Sequence, residues 1–231
     1  MRHCCAAFLA LFVALASAQT GSAADLPAAP VNPPGVISAP DWTGLYFGIE
    51  GGGGFGNSQK TFSTGTRTDV FKVDGAIGGG AAGYNKQWGN IVAGLEGDFS
   101  WGNVDGRTSC PNRIFTCETN TTWLATVRPR VGYALGNFMP YVTGGLAIGD
   151  VNVKSFLNSS GNQGVDYTKT QVGWTAGAGI EVSILSNWSL KAEYLYVRIA
   201  DANGPSDSPP TTATTSFHEN IIRGGLNYSF K

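Results

Sequence analysis

The sequence predicts an all-β fold, an eight-stranded antiparallel up-and-down transmembrane β-barrel, and three observations carry that expectation. In eight separate stretches, apolar residues alternate with small or polar ones at the two-residue period of a strand. The connections between those stretches alternate short and long without exception. Finally, no long apolar run appears after Thr43, although 33 of the 231 residues are glycine and only 13% are charged. A formal net charge of -1 also excludes a polybasic nucleic-acid binder, which needs a cationic face to displace counterions from phosphates.

The chain divides into three parts. Residues 1–24 read as a signal peptide: Arg2 supplies a positive start, 6–16 an apolar run, and small residues follow to Ala23 and Ala24. That run is too short for a hydrocarbon core that needs about 20 residues. Residues 25–42, rich in proline and alanine, have too few large apolar groups to pack a core and read as an extended periplasmic segment. Residues 43–231 form the barrel.

Strand one, 44–57, places Leu45, Phe47, Ile49 and Phe55 on one face and Tyr46 and Glu50 on the other. Strand two, 72–86, is mostly glycine and alanine, so its facing is ambiguous. Strand three, 90–103, sets Ile91, Ala93, Leu95, Phe99 and Trp101 against Glu96 and Asp98. Strand four, 122–134, sets Trp123, Ala125, Val127, Val131 and Tyr133 against Thr126, Arg128 and Arg130. Stretches 140–154, 167–183, 188–199 and 217–230 complete the set, and each exceeds the roughly 9 to 11 residues that cross a membrane as a tilted strand.

The short connections are 87–89, 135–137 and 184–187, and the long ones are 58–71, 104–121, 155–166 and 200–216. Tight periplasmic turns and extended external loops predict this asymmetry together with an even strand number. A soluble lipocalin-like barrel also has eight up-and-down strands, but its apolar face points inward. Here the charged residues share a face with glycine and threonine. The opposite face carries almost no charge and has aromatics near the strand ends, as at two membrane interfaces. Glycines at inward positions such as Gly48, Gly132, Gly177 and Gly225 give room to long charged side chains in a narrow lumen.

The segments Asp41-Trp42-Thr43-Gly44-Leu45-Tyr46, Gly94-Leu95-Glu96-Gly97-Asp98-Phe99, Val127-Arg128-Pro129-Arg130-Val131-Gly132-Tyr133 and Pro140-Tyr141-Val142-Thr143-Gly144-Gly145-Leu146-Ala147 resemble the outer-membrane immunogenic protein family of α-proteobacteria. Gly177-Ala178-Gly179-Ile180-Glu181, Lys191-Ala192-Glu193-Tyr194-Leu195-Tyr196 and Gly225-Leu226-Asn227-Tyr228-Ser229-Phe230 extend the likeness over essentially all of the chain that follows the signal peptide. The resemblance implies an OmpA-like barrel of the porin-family type, abundant at the surface of a Gram-negative cell and often antigenic. It also implies that the assembly machinery reads a terminal aromatic signal, here Tyr228 and Phe230, and Lys231 after Phe230 departs from the usual aromatic end.

Glu96 and Asp98 face Arg128 and Arg130 across one hairpin, and Glu50, Glu181, Lys191, Glu193 and Arg223 occupy matching inward positions. These nine residues are expected to fill the lumen as a paired charge network. The functional alternative is a narrow ion path along the same groups, a small low-conductance diffusion channel. Eight strands leave an interior that side chains nearly fill, so a wide pore is not expected. General acid/base chemistry needs carboxyls in unequal environments, whereas adjacent arginines hold these ionised. A lipid hydrolase needs a serine and a histidine, and His218 with Ser216 or Ser229 is the only candidate set, so no catalytic residues are assigned.

Cys4 and Cys5 leave with the signal peptide, and Cys110 and Cys117 are expected to form a loop disulfide. No second Cys/His pair completes a metal site, and no cofactor is expected. The stretch 51–56 fits G-x-G-x-x-G but lies within a strand with no helix after it, so it is no dinucleotide fingerprint. Loop 104–121, with Arg107, Arg113 and Glu118, and loop 200–216 are candidate contacts for host or phage. The expected partners are outer-membrane lipid and lipopolysaccharide, the barrel-assembly machinery, and no nucleic acid. The expected role is a structural, surface-exposed barrel of the outer membrane.

Overall fold

Alternation at period two dictates strands, and a sheet of such strands must close on itself if no backbone edge is to meet lipid. The structure, a computed structural model, describes residues 40–110, 114–159, 163–205 and 212–230. The expected signal peptide, most of segment 25–42, Arg113 and Lys231 lie outside the described residues.

Eight strands follow in order: β1 (Gly44–Phe62), β2 (Phe71–Trp88), β3 (Ile91–Ser109), β4 (Phe115–Tyr133), β5 (Phe138–Leu157), β6 (Gln163–Leu185), β7 (Trp188–Pro205) and β8 (Thr212–Phe230). Each pairs antiparallel with its chain neighbours, and β1 closes on β8 from Leu45 opposite Phe230 to Phe62 opposite Ala213. At the short-turn end, Gly89 and Gly136 take φ of 59° and 64°, the left-handed backbone that tight reversals need and other residues avoid.

The stretches expected as long loops are strand over much of their length. β1 runs on to Phe62, β3 to Ser109, and β4 starts at Phe115, so polar sequence here continues the ladder instead of leaving it. Strands of 18 to 23 residues, rising ~3.3 Å each and tilted ~40°, reach about 45 Å along the axis. An apolar band is ~25 Å tall, so about 20 Å of barrel stands beyond it at the hairpin end.

Side chains alternate as the pleat requires. Outward lie Leu45, Phe47, Ile49, Leu95, Val127, Val142 and Leu146, all well exposed. Outward aromatics gather at two levels: Tyr133, Trp188 and Phe230 near the short turns, and Phe55, Trp101 and Trp174 higher up. The ambiguous facing of β2 resolves with Val73, Ala81 and Asn85 inward and buried.

The inward face is layered. Trp42, Val92, Ala134 and Met139 pack together at the short-turn end. Above them lies a charged layer, and above that an apolar layer that includes Val73, Val104, Leu124, Ala147, Val151, Leu195, Val197 and Ile221.

One irregularity matters for reading the sequence. The register shifts in β4 between Asn120 and Leu124, so Cys117, Thr119 and Thr121 point inward before it and Leu124, Thr126 and Arg128 after it. The Asp150 carboxylate accepts the amides of Thr122 and Trp123, each at 2.9 Å, and the Thr122 hydroxyl, so the donors freed by the bulge are satisfied.

Candidate functional site

Inward parity alone brings the charged residues into one layer. Register then gives several of the long side chains a small neighbour: Glu50 lies between Gly79 and Gly225, Arg223 opposite Gly52, Arg130 opposite Gly94, and Glu193 opposite Gly179. A Cβ at Gly225 would come within 3.4 Å of Glu50 Cβ and 3.5 Å of Lys191 Cε, and one at Gly52 within 2.8 Å of Arg223 Cβ, so these two positions leave room for the charged groups.

All nine residues singled out in the sequence, Glu50, Glu96, Asp98, Arg128, Arg130, Glu181, Lys191, Glu193 and Arg223, meet in that layer. Arg128 Nη2 donates to Glu96 Oε1 and to Asp98 Oδ2, both at 2.8 Å, and Nη1 reaches Glu193 at 3.2 Å. Arg130 binds Glu181 at 2.7 Å and Glu96 at 3.3 Å. Lys191 lies 3.0 Å from Glu50 and 3.2 Å from Glu96. Arg223 binds Glu193 at 2.7 Å, Asp98 at 3.0 Å and, closest, Glu50. None of these nine side chains is more than 4% exposed. Each ion is therefore out of bulk water, and its neighbours replace the lost hydration.

Neutral groups that the sequence reading did not single out as site residues complete the layer. The Tyr46 hydroxyl donates to Glu96 at 2.7 Å while accepting from Arg130 at 3.0 Å, and the Tyr141 hydroxyl donates to Glu193 at 2.9 Å. The Arg130 guanidinium sits 4.0 Å from the centre of the Tyr141 ring, a cation–π contact. Asn227 and Ser189 donate to Glu181, and Thr126 to Asp98. The signal that finds them is parity: Tyr46, Thr126, Tyr141, Ser189 and Asn227 are polar residues in phase with the charged ones.

Above the network stands an isolated carboxyl. Glu219, 2% exposed, is buried at the edge of a cavity of about 10 Å³ with Ile77, Val104, Thr121, Leu124 and Ile221, and its Oε1 has no hydrogen-bond partner. It occupies the space over Gly54 that any larger residue there would claim.

Other candidates separate. Cys110 and Cys117 are disulfide-bonded with Cα atoms 5.2 Å apart; both are buried, and Cys117 lies in β4 rather than in a loop. His218 is on the outer face against Tyr196, with ring centres 6.3 Å apart, while Ser229 lies at the other end of the same strand. The side chain of Ser216 lies outside the described residues. The 51–56 glycine stretch is part of β1. Tyr228 and Phe230 end β8 edge to face at 4.9 Å, and Phe230 also meets Phe47 at 5.7 Å across the closing seam.

This arrangement sits on a recognisable chain. Residues 6–230 match the family described as outer membrane protein beta-barrel domain. The 31 kDa outer-membrane immunogenic protein of Brucella melitensis is 37% identical over 94% of this chain and 97% of its own length. The 22 kDa outer membrane protein of Rhizobium leguminosarum is 32% identical over 87% and 82%. Among solved structures, the outer membrane protein OprG of Pseudomonas aeruginosa superposes with a TM-score of 0.51 at 14% identity, covering 83% of this chain and 99% of OprG. With the family matched over nearly its whole length, a closed eight-strand ring and an apolar outer face, the chain belongs to the outer-membrane β-barrel proteins of Gram-negative bacteria.

Proposed function

We propose that this surface-exposed outer-membrane protein acts as a closed structural barrel, its lumen sealed by the ion-pair layer. The observation that carries the reading is the burial of all nine charged side chains, with every carboxylate held by a cation and none left facing a water-filled path. Because the carboxylates are shared among Arg128, Arg130, Lys191 and Arg223, none is set apart as a proton donor, and the reading is non-enzymatic.

In this reading the short turns face the periplasm and the strand extensions project from the cell, offering the hairpin tips to host or phage. Tyr228 and Phe230 then serve as the signal for the barrel-assembly machinery. Planar-bilayer recording of the refolded protein tests closure: a silent baseline is expected, and reproducible ion-selective steps would overturn it. Antibody access on intact cells to an epitope inserted at Gly65, the exposed tip between β1 and β2, tests the orientation.

A further inference from the structure

The outer face of β7 is uncharged from Trp188 through Leu190, Ala192, Tyr194 and Tyr196, and its first charge is Arg198. Ten residues at ~3.3 Å and a tilt of ~40° place Arg198 about 25 Å above Trp188, the height of one apolar band. The same holds on β8, where the outward residues between Phe230 and His218 carry no charge.

Register sets Trp174, Arg198 and His218 side by side on β6, β7 and β8. Just below, Tyr196 touches both flanking rings, at 5.4 Å from Trp174 and 6.3 Å from His218. Arg198 thus stands exposed above an aromatic shelf. Among the described residues it makes no ion pair. The nearest acid along its strand, Asp201, lies within the register shift between Ile199 and Ala202, and Glu193 and Glu219 point into the lumen.

A guanidinium at the rim of hydrocarbon, with no carboxylate beside it, calls for an anionic partner, and its planar fork matches a phosphate. Trp and Tyr rings at the same level suit the boundary between acyl chains and headgroups, and a ring face packs on the C–H face of a sugar. The other wall is unsuited, since Asp74 and Asp105 are direct cross-strand neighbours there.

We infer that Arg198, with His218 and the Trp174–Tyr196 shelf, binds the phosphate of a phosphorylated glycolipid in the outer leaflet. The choice of leaflet rests on the orientation proposed above, whereas binding measured in detergent does not, so the two fail separately.

The test is native mass spectrometry of the refolded protein in micelles with phosphorylated or enzymatically dephosphorylated lipid A. Arg198→Gln should lower retention of the phosphorylated lipid about fivefold, what one basic residue at an anionic lipid surface is worth. His218→Gln should lower it less, Arg198→Lys should keep more than Arg198→Gln, and retention of the dephosphorylated lipid should not change. All variants should keep heat-modifiable migration, since these side chains face outward. Equal retention by wild type and Arg198→Gln, or equal retention of the two lipids by wild type, would overturn the site. Equal displacement by phosphatidylglycerol would overturn the glycolipid as its occupant.

Discussion

Two adjacent layers of the lumen are built by opposite means. Near the short turns, nine charged side chains and their tyrosine, serine, threonine and asparagine partners fill the space with directional contacts. Toward the hairpins, Val73, Val104, Leu124, Leu195, Val197 and Ile221 fill it with apolar packing, and Glu219 is set among them without a partner for Oε1. The first layer is intolerant because each ion depends on several others. Removing one member leaves buried charges uncompensated, whereas removing an apolar side chain leaves a hole. The same residue type, glutamate, is therefore required in one layer and a burden in the other.

Substitutions that exchange the rules of the two layers probe this contrast. Replacing Glu96 with Leu takes an acceptor from Arg128, Arg130 and Lys191 at once and should destabilise the folded barrel by ~3–5 kcal/mol, read by urea unfolding in detergent. A loss below ~1 kcal/mol would show that the network relaxes around the gap. Leu195→Ala, in the apolar layer and fully buried, should cost ~3 kcal/mol through lost transfer energy and a residual cavity. Here a negligible cost would mean that the upper lumen is hydrated rather than packed. The smallest effect, and of opposite sign, is expected for Glu219→Leu, which should raise stability by ~1 kcal/mol by removing a buried polar group that lacks a partner. A loss of stability in that assay would show that Glu219 has a partner, and the contrast between layers would fall.

Much of this was legible because a barrel spells its faces in the chain. Glu50, Glu96, Asp98, Arg128 and Arg130 announce the inward phase, and Leu45, Phe47, Leu95 and Val127 the outward one. What escaped has specific physical causes. In β4 the bulge at 122–123 inverts the phase, so the alternation of Cys117, Thr119 and Thr121 is out of step with that of Thr126, Arg128 and Arg130, and the strand looks as if it starts at 122. Beyond the apolar band the outer face meets polar surroundings, so β1 past Asn57 and β3 past Asn103 lose their apolar outward signature while the backbone ladder continues. In β2 the run of glycine and alanine carries no facing information at all.

By itself the sequence determined the eight strands, their up-and-down order and, outside β2 and the part of β4 before its bulge, which residues point inward, because the pleat ties side-chain direction to residue number. Only the closed ring decided the rest. Arg128 in β4 meets Glu193 in β7, and Glu50 in β1 meets Lys191 in β7, across a lumen that neither hairpin spans. Local parity aims a side chain, but strand stagger sets the level at which opposite walls meet. That level placed the charged layer below the apolar one and left Glu219 among hydrocarbon side chains.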